Sequence, residues 1–260
     1  MKKTLITLAA LFAGSASALA EGTLVWDLTV TGDTYKVTGA DGGAYAGLSV
    51  NLNGGSISNG ICTSPDPNSD QRIYITDSSS SITLNDSFSF VIQGGLNEDP
   101  GSWGVLFGIG EANNWNIKVN ADTTNKTLGF DPEGYGITNQ TRGGSISTGM
   151  GTYIVTYAMQ DDGTATLSLY QKGVLIATAT QPDNNTTGEA LDVFTIGGRP
   201  YDNAGYPKNS TDFSFTNVQL YEGVLSAGQI ASLSGVTPEP TTATLSLLAL
   251  AGLCARRRRK

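Results

Sequence analysis

The sequence predicts an all-β fold, a two-sheet antiparallel β-sandwich with one short C-terminal helix. Three observations predict it. The chain of 260 residues holds 33 glycines, and charged residues make up only 15% of it. Apolar and polar residues alternate along many short segments, which are separated by turns rich in Gly and Asn. Such alternation is typical of strands with one buried face, and long segments with the period of a helix are lacking.

Residues 21–93 contain five segments with strand-like alternation. A loop over residues 64–70 interrupts them, because Pro65 and Pro67 cannot donate hydrogen bonds to a sheet. The predicted strands cover residues 23–30, 35–38, 48–52, 72–76 and 87–93.

The chain after residue 93 continues the pattern and adds a helix. Residues 151–180 predict a three-stranded meander that turns at Asp162-Gly163 and at Lys172-Gly173, dipeptides that suit tight hairpins. Ser226 and Gln229 have the spacing of a capping box, which predicts a short helix over residues 225–233. The remaining predicted strands cover residues 104–110, 115–120, 193–199 and 213–221.

The first twenty residues have the three parts of a secretory signal peptide. Lys2 and Lys3 precede a short apolar run, and small residues follow it up to Ala18 and Ala20. The apolar run is shorter than the roughly 20 residues that span a bilayer. We therefore expect export by the Sec machinery and cleavage before Glu21.

The other end of the chain predicts a membrane stop. Pro238, Glu239 and Pro240 precede an apolar stretch over residues 241–255, and five basic residues, 256–260, complete the chain. Basic side chains favour the cytoplasmic side of a membrane, so export would pause with the body of the protein outside. An ordinary tail anchor and a terminal amphipathic helix are the alternatives.

This tripartite end resembles the PEP-CTERM sorting signal of Gram-negative bacteria. The resemblance implies that a membrane protease, exosortase, cuts near the Pro-Glu-Pro motif. It also implies transient insertion of the tail in the inner membrane, followed by release to the cell surface or the extracellular matrix. The chain then divides into a signal peptide (residues 1–20), a sandwich domain (residues 21–235) and a sorting signal (residues 236–260).

Residues 87–233 resemble the laminin-G-like and concanavalin A-like jelly rolls. The segments that carry the resemblance are LYQKG at 169–173, IGG at 196–198, LY at 220–221 and LSAGQI at 225–230. These families include lectins, adhesive modules and glycoside hydrolases, so the function must be argued from a site.

Charge narrows the choice of partners. Residues 21–235 hold eight Lys and Arg against 22 Asp and Glu, a net charge of −14. Such a charge repels nucleic acid and anionic lipid. We therefore exclude nucleic acid as a partner and expect calcium or neutral sugars.

The two cysteines are Cys62 and Cys254, and cleavage near Pro238 would leave only the first. Cys62 is then a reactive thiol, a lipidation site or a buried apolar side chain. We favour burial, because the chain contains no histidine that could activate a thiol.

The residues predict a protein that is not an enzyme. The absence of histidine excludes a Ser-His-Asp triad, a Cys-His pair and a zinc site that uses histidine. No strand carries the alternating carboxylates that a retaining glycosidase presents. The acidic clusters at residues 97–99, 161–162 and 189–192 are interpreted as solvated surface.

Calcium is the one metal that the sequence favours. Asp66, Asn68 and Asp70 have the spacing of oxygen ligands that opens a calcium loop. The sixth position is Gln71 in place of the turn glycine, and the twelfth is Asp77 in place of glutamate. A plain proline-rich turn is the alternative.

Sugar binding usually rests on an aromatic ring flanked by amide or carboxylate groups. The aromatic candidates lie in predicted loops, where packing at the rim of the sandwich is the alternative. The candidate residues are Trp103, Tyr135, Tyr201, Asp202, Asn203 and Tyr206.

These observations predict an exported, non-enzymatic surface or matrix protein that binds a glycan or an extracellular polysaccharide. A purely structural component of the envelope or biofilm is one alternative. The other is a glycoside hydrolase whose catalytic carboxylates are brought together only by folding. The candidates for such a pair are Glu98, Asp99, Glu111, Glu133 and Asp202.

Overall fold

The computed structural model describes residues 21–65, 71–83, 86–100, 104–110, 116–122, 124–130, 140–146, 148–182, 190–198 and 211–236. Within these residues nearly all regular structure is antiparallel β-strand, and one short helix follows the last strand. The predicted all-β sandwich is therefore confirmed.

The elements follow one another in this order: β1 (Thr23–Thr31), β2 (Thr34–Gly39), β3 (Leu48–Asn51), β4 (Ser56–Ser58), β5 (Ile61–Thr63), β6 (Ile73–Asp77), β7 (Phe88–Leu96), β8 (Gly104–Gly110), β9 (Asn116–Asp122), β10 (Thr127–Phe130), β11 (Arg142–Gly143), β12 (Gly151–Met159), β13 (Ala165–Gln171), β14 (Val174–Gln181), β15 (Val193–Ile196), β16 (Phe213–Glu222) and α1 (Ala227–Leu233).

The strands form two sheets. The nine-stranded sheet has the order β14-β13-β12-β7-β16-β1-β2, with β5 pairing to both β16 and β4. The seven-stranded sheet has the order β11-β10-β9-β8-β15-β6-β3. Neighbours in sequence are often separated in space, and β16, the last strand, lies between β1 and β7 in the middle of its sheet.

Aromatic side chains from both sheets fill the space between them. The Phe194 ring stacks on Phe90 with their centroids 5.2 Å apart, and it meets the Trp26 ring edge-on at 5.4 Å. The Phe107 ring lies 5.8 Å from Phe90. All four side chains are fully buried. Such pairs add to the stabilisation that comes from burying apolar area.

A buried carboxylate joins the two sheets at the same place. The indole Nε1 of Trp26, on β1, donates a hydrogen bond to Oδ2 of Asp77, on β6, over 3.0 Å. The Tyr45 hydroxyl donates to the same carboxylate over 3.1 Å, and the backbone N–H of Ser79 donates over 3.0 Å. Asp77 is only 1% exposed, so these donors replace the water that it loses.

The predicted meander is confirmed, including its second turn. Strands β12, β13 and β14 pair in sequence order. Lys172 and Gly173 have φ angles of 51° and 80°, and two successive positive values are the mark of the turn that suits a right-twisted hairpin.

The predicted helix is also confirmed. The Ser226 side chain accepts a hydrogen bond from the Gln229 N–H, and the Gln229 side chain accepts one from the Ser226 N–H, so the capping box is complete. The helix covers the outer face of the nine-stranded sheet, where Ile230 packs against Val91 and Ile154. Among the described residues, no helix is both long enough and apolar enough to cross a membrane.

Four short strands were not predicted: β4, β5, β10 and β11. Cys62 lies in β5 and is 1% exposed, so the prediction that it is buried is confirmed. Its neighbours are residues of the main core.

Loss of the Tyr45 hydroxyl should change how stability depends on pH. Burial, the Asp77 charge and the hydrogen bond to Asp77 raise the pKa of Tyr45 from 10.0 to about 12. Between these two values the unfolded chain releases the proton while the folded chain keeps it, so stability falls as pH rises through this window. Tyr45→Phe should lower stability at pH 7 by about 1 kcal/mol and make the alkaline fall shallower. Urea unfolding at several pH values measures both effects, and an unchanged alkaline slope would contradict the assignment.

The Cys62 thiol should be inert in the folded protein. Burial raises the pKa of Cys62 from 9.0 to about 12. A rise of this size lowers the thiolate fraction near neutral pH on the order of a thousandfold. In a Cys254→Ser background, maleimide should label Cys62 rapidly in urea and very slowly in buffer. Equal labelling rates in both conditions would show that the thiol is accessible in the folded state.

Candidate functional site

The site residues predicted from sequence lie outside the described residues and remain predictions. This applies to the sugar candidates Trp103, Tyr135, Tyr201, Asp202, Asn203 and Tyr206, to the calcium candidates Asp66, Asn68 and Asp70, to the sorting motif Pro238, Glu239 and Pro240, and to the cleavage-site residues Ala18 and Ala20.

The described residues that flank three of these segments meet where β8 begins and β15 ends, at one end of the central strands of the seven-stranded sheet. The Ser64 hydroxyl donates to the Thr211 carbonyl over 2.8 Å, and the Thr211 hydroxyl donates to the Val105 carbonyl over 2.9 Å. The Thr211 N–H donates to the Gly197 carbonyl over 3.0 Å. A single hydrogen-bonded cluster of described residues therefore lies next in sequence to the three segments 66–70, 101–103 and 199–210. Strand β10 ends toward the opposite end of these strands.

Asp77 does not serve as the last position of a calcium loop. It points into the core and is held by Trp26 and Tyr45. Among the described residues, no group of three His, Cys, Asp or Glu side chains could hold a metal ion.

The outer face of β9 carries a row of polar side chains. Lys118, Asn120 and Asp122 point away from the core but are only 1%, 3% and 3% exposed. The alternate residues of the strand are Ile117, Val119 and Ala121, all in the core. Charged groups that lose water need partners, so these side chains must be paired with other groups of the protein and are not simply solvated.

Register extends this row across the sheet. Lys118 pairs with Gly108, Gly108 with Thr195, and Thr195 with Tyr74, so these residues form one line on the outer face. Tyr74 and Lys118 are three strands apart, which corresponds to ~14 Å. The Arg72 guanidinium lies 5.1 Å from the centroid of the Tyr74 ring, a cation–π contact that holds both side chains.

A second line ends at Arg142. Asn120 pairs with Gly129, and Gly129 with Arg142 on the adjacent strand. The Arg142 Nη1 donates to the Asn120 Oδ1 over 3.3 Å. A Cβ on Gly129 would lie 2.8 Å from the Arg142 Cγ, so the glycine leaves room for the Arg142 side chain to cross β10.

Asp122 has a separate role in the turn that follows β9. Its carboxylate accepts hydrogen bonds from the Asn125 side chain over 2.9 Å and from the Thr124 N–H over 3.0 Å. The hydrogen bond from the Asn125 side chain is the main cause that lowers the pKa of Asp122, and the Arg142 charge adds to it. The side chain therefore shapes the turn and stays ionised at neutral pH.

We use the name polar face for Arg72, Tyr74, Lys118, Asn120, Arg142 and Thr195. The described residues contain six Lys and Arg side chains, and three of them belong to this face in a strongly acidic protein. Arg142 and Tyr74 are partly exposed, whereas the other four are buried. Only the guanidinium of Arg142 and the phenol of Tyr74 can therefore reach a ligand, and the buried Asn120 and Arg72 hold these two side chains in place.

Sequence reasoning identified the apolar residues of β9 and missed the polar ones between them. The signal was present as the alternation Lys118, Asn120, Asp122 between core positions. These residues were not considered as a site because polar residues on an outer face are usually solvated.

The acidic residues proposed as a catalytic pair are only partly described. Glu98 and Asp99 are exposed, which confirms their interpretation as surface residues, and Asp161 and Asp162 are exposed as well. Asp99 accepts a salt bridge from Lys126 over 2.6 Å, with both side chains at least half exposed. A pair of this kind contributes little stability. Glu111, Glu133 and Asp202 lie outside the described residues.

No family model and no curated protein matches the chain. Among solved structures, Trypanosoma rangeli sialidase in complex with sialic acid is similar, with a TM-score of 0.55 and 17% identity over 82% of this chain and 32% of the sialidase chain. The binding domain of botulinum neurotoxin serotype D is similar with a TM-score of 0.50 and 12% identity over 82% of this chain and 50% of the neurotoxin chain. This chain thus spans about a third of the sialidase chain. At these identities the similarity establishes the fold.

The expectation that the chain is not an enzyme is wrong. The solved structures that share its fold include the Trypanosoma rangeli sialidases, which are enzymes. The absence of histidine excludes only mechanisms that use histidine. The absence of a local carboxylate motif excludes only a pair that lies on one strand, because folding can bring distant carboxylates together.

Two glycine substitutions should have opposite effects on stability. Gly129→Ala forces the Arg142 side chain away from its path, and such crowding costs about 1–3 kcal/mol. Gly228→Ala lies in α1, where an added Cβ meets nothing closer than 3.9 Å. It should stabilise the protein by about 0.5 kcal/mol, because glycine is a poor helix residue. Urea unfolding of the two variants measures the difference, and an equal effect of both would contradict the described path of Arg142.

Proposed function

We propose that this chain is an exported carbohydrate-binding protein that holds a glycan on its polar face. The observation that carries the proposal is the hydrogen bond from the partly exposed Arg142 to the buried Asn120 on the outer face of the seven-stranded sheet. A monomer with no ligand for this face would gain more stability from apolar residues at these positions than from buried charges.

The groups on the face suit sugars. The partly exposed Arg142 guanidinium donates hydrogen bonds in fixed directions, and sugar hydroxyls can accept them. The partly exposed Tyr74 ring offers an apolar surface for a sugar ring, and Arg72 restricts its motion. Side chains that are already ordered lose little entropy on binding, which favours affinity.

The fold supports the same class of ligand. The similar sialidase structures contain sialic acid or related compounds, and the similar neurotoxin structure is a binding domain. The described residues that flank the predicted sugar segments 101–103 and 199–210 lie at one end of the strands of the sheet that carries the polar face.

Export and sorting complete the proposal. The N-terminal signal peptide supports export by the Sec machinery. The C-terminal tail supports transient insertion in the inner membrane, exosortase processing and release to the cell surface or extracellular matrix of a Gram-negative bacterium. A glycan or extracellular polysaccharide would be available to the polar face in that location.

A glycan array probed with the full chain tests the proposed binding. Arg142→Ala should reduce the affinity for the bound glycan at least about tenfold, since it removes a partly exposed charged hydrogen-bond donor. Lys36→Ala is the matched control, because it removes an exposed positive charge on the other sheet and should leave binding unchanged.

Other outcomes of the array separate the alternatives. Free sugar released from a bound glycan would show that the chain cleaves it. Loss of binding in chelator would add calcium to the site. A blank array with the folded parent chain would contradict carbohydrate binding and leave a structural component of the matrix.

A further inference from the structure

Exposed apolar side chains gather at the place where the chain leaves the sandwich. The described residues include five large apolar side chains that are clearly exposed. Four of them, Met150, Val174, Leu175 and Val236, form what we call the exit patch, and the fifth, Ile61, lies on β5.

The Lys172-Gly173 turn connects the members of the exit patch. A Cβ on Gly173 would lie 3.2 Å from the Val236 Cγ2, so the turn rests against the end of the described chain. Val174 and Leu175 follow this turn directly. A Cβ on Gly151, next to Met150, would lie 3.0 Å from the Lys172 Cε.

We propose that the exit patch rests on the lipid bilayer while the C-terminal tail is inserted in it. This inference depends on the membrane insertion of the tail that is part of the proposed function. Only residues 237–240 separate Val236 from the apolar stretch that begins at Thr241. Even a fully extended chain between them spans at most ~18 Å, so insertion of the tail brings the exit patch close to the membrane surface.

The chemistry of the patch fits the membrane interface. Val174 is 64% exposed and Leu175 is 49% exposed, and exposed clusters of this kind mark interaction surfaces. Lys172 lies on the same turn and is exposed, so its ammonium can meet lipid phosphates while its stem packs on the apolar side chains. The strong negative charge of the body favours a zwitterionic lipid surface over an anionic one.

The test places a fluorescent probe at one position inside the patch and at one outside it. In the full chain with Cys254→Ser, Val174→Cys and Ile61→Cys are each labelled with an environment-sensitive nitrobenzoxadiazole probe. Each protein is then incorporated into phosphatidylcholine vesicles, and flotation in a density gradient measures membrane binding. Position 174 is far from the tail in sequence, so only the folded domain can bring it to the bilayer.

The expected result is that both proteins float. The emission at position 174 should shift to shorter wavelength and be quenched by a lipid that carries a doxyl group, whereas the emission at position 61 should not change. If both proteins float and position 174 keeps the emission that it has in water, the patch does not contact the bilayer, although the tail does insert. Equal quenching at both positions would also overturn the inference. Failure to float would contradict the insertion of the tail itself, and with it this inference.

Discussion

The hydrogen bond between Trp26 and Asp77 is the contact on which the arrangement of the two sheets depends. It links β1 of one sheet to β6 of the other through a carboxylate that is almost fully buried. A charge in the core is costly unless its donors keep their positions, so the two strands have little freedom to slide. The Trp26 ring also packs on Phe194 of β15, which extends the constraint to the middle of the seven-stranded sheet.

That constraint reaches the polar face because a strand exposes its residues alternately on two sides. Fixing Ile75 and Phe194 toward the core fixes Tyr74 and Thr195 on the outer face, and the register of β8 and β9 carries the same alternation to Lys118 and Asn120. Packing of the core residues on the inner side of these strands therefore makes the polar face rigid. Tyr74 and Arg142, the partly exposed members of the face, are thus held in position before a ligand binds.

The strands with clear alternation, the meander and the capped helix could be predicted from the sequence, because local periodicity, turn dipeptides and capping residues determine them. The strands β10 and β11 could not, because they are short and depend on pairing with β9. The sequence placed Asp77 in a possible calcium loop, since nothing local shows that Trp26, 51 residues away, donates to it. The polar face was missed for a similar reason: Asn120 and Arg142 become partners only when β10 lies between them. The exclusion of enzymes relied on absent motifs, and such absences decide little when the fold also occurs in about a third of a sialidase chain.

The most direct test of glycan binding on the polar face is an NMR titration. The protein, labelled with 15N, is titrated with the glycan that gives the strongest signal on the array. If the polar face is the site, the largest chemical-shift changes will occur at the side-chain amide of Asn120 and at the Nε–H of Arg142. Tyr74 will show the next largest changes. The amides of Asn217 and Gln219, on the outer face of the other sheet, will stay unchanged. Chemical-shift changes concentrated on Asn217 and Gln219, with none at Asn120, would contradict glycan binding on the polar face.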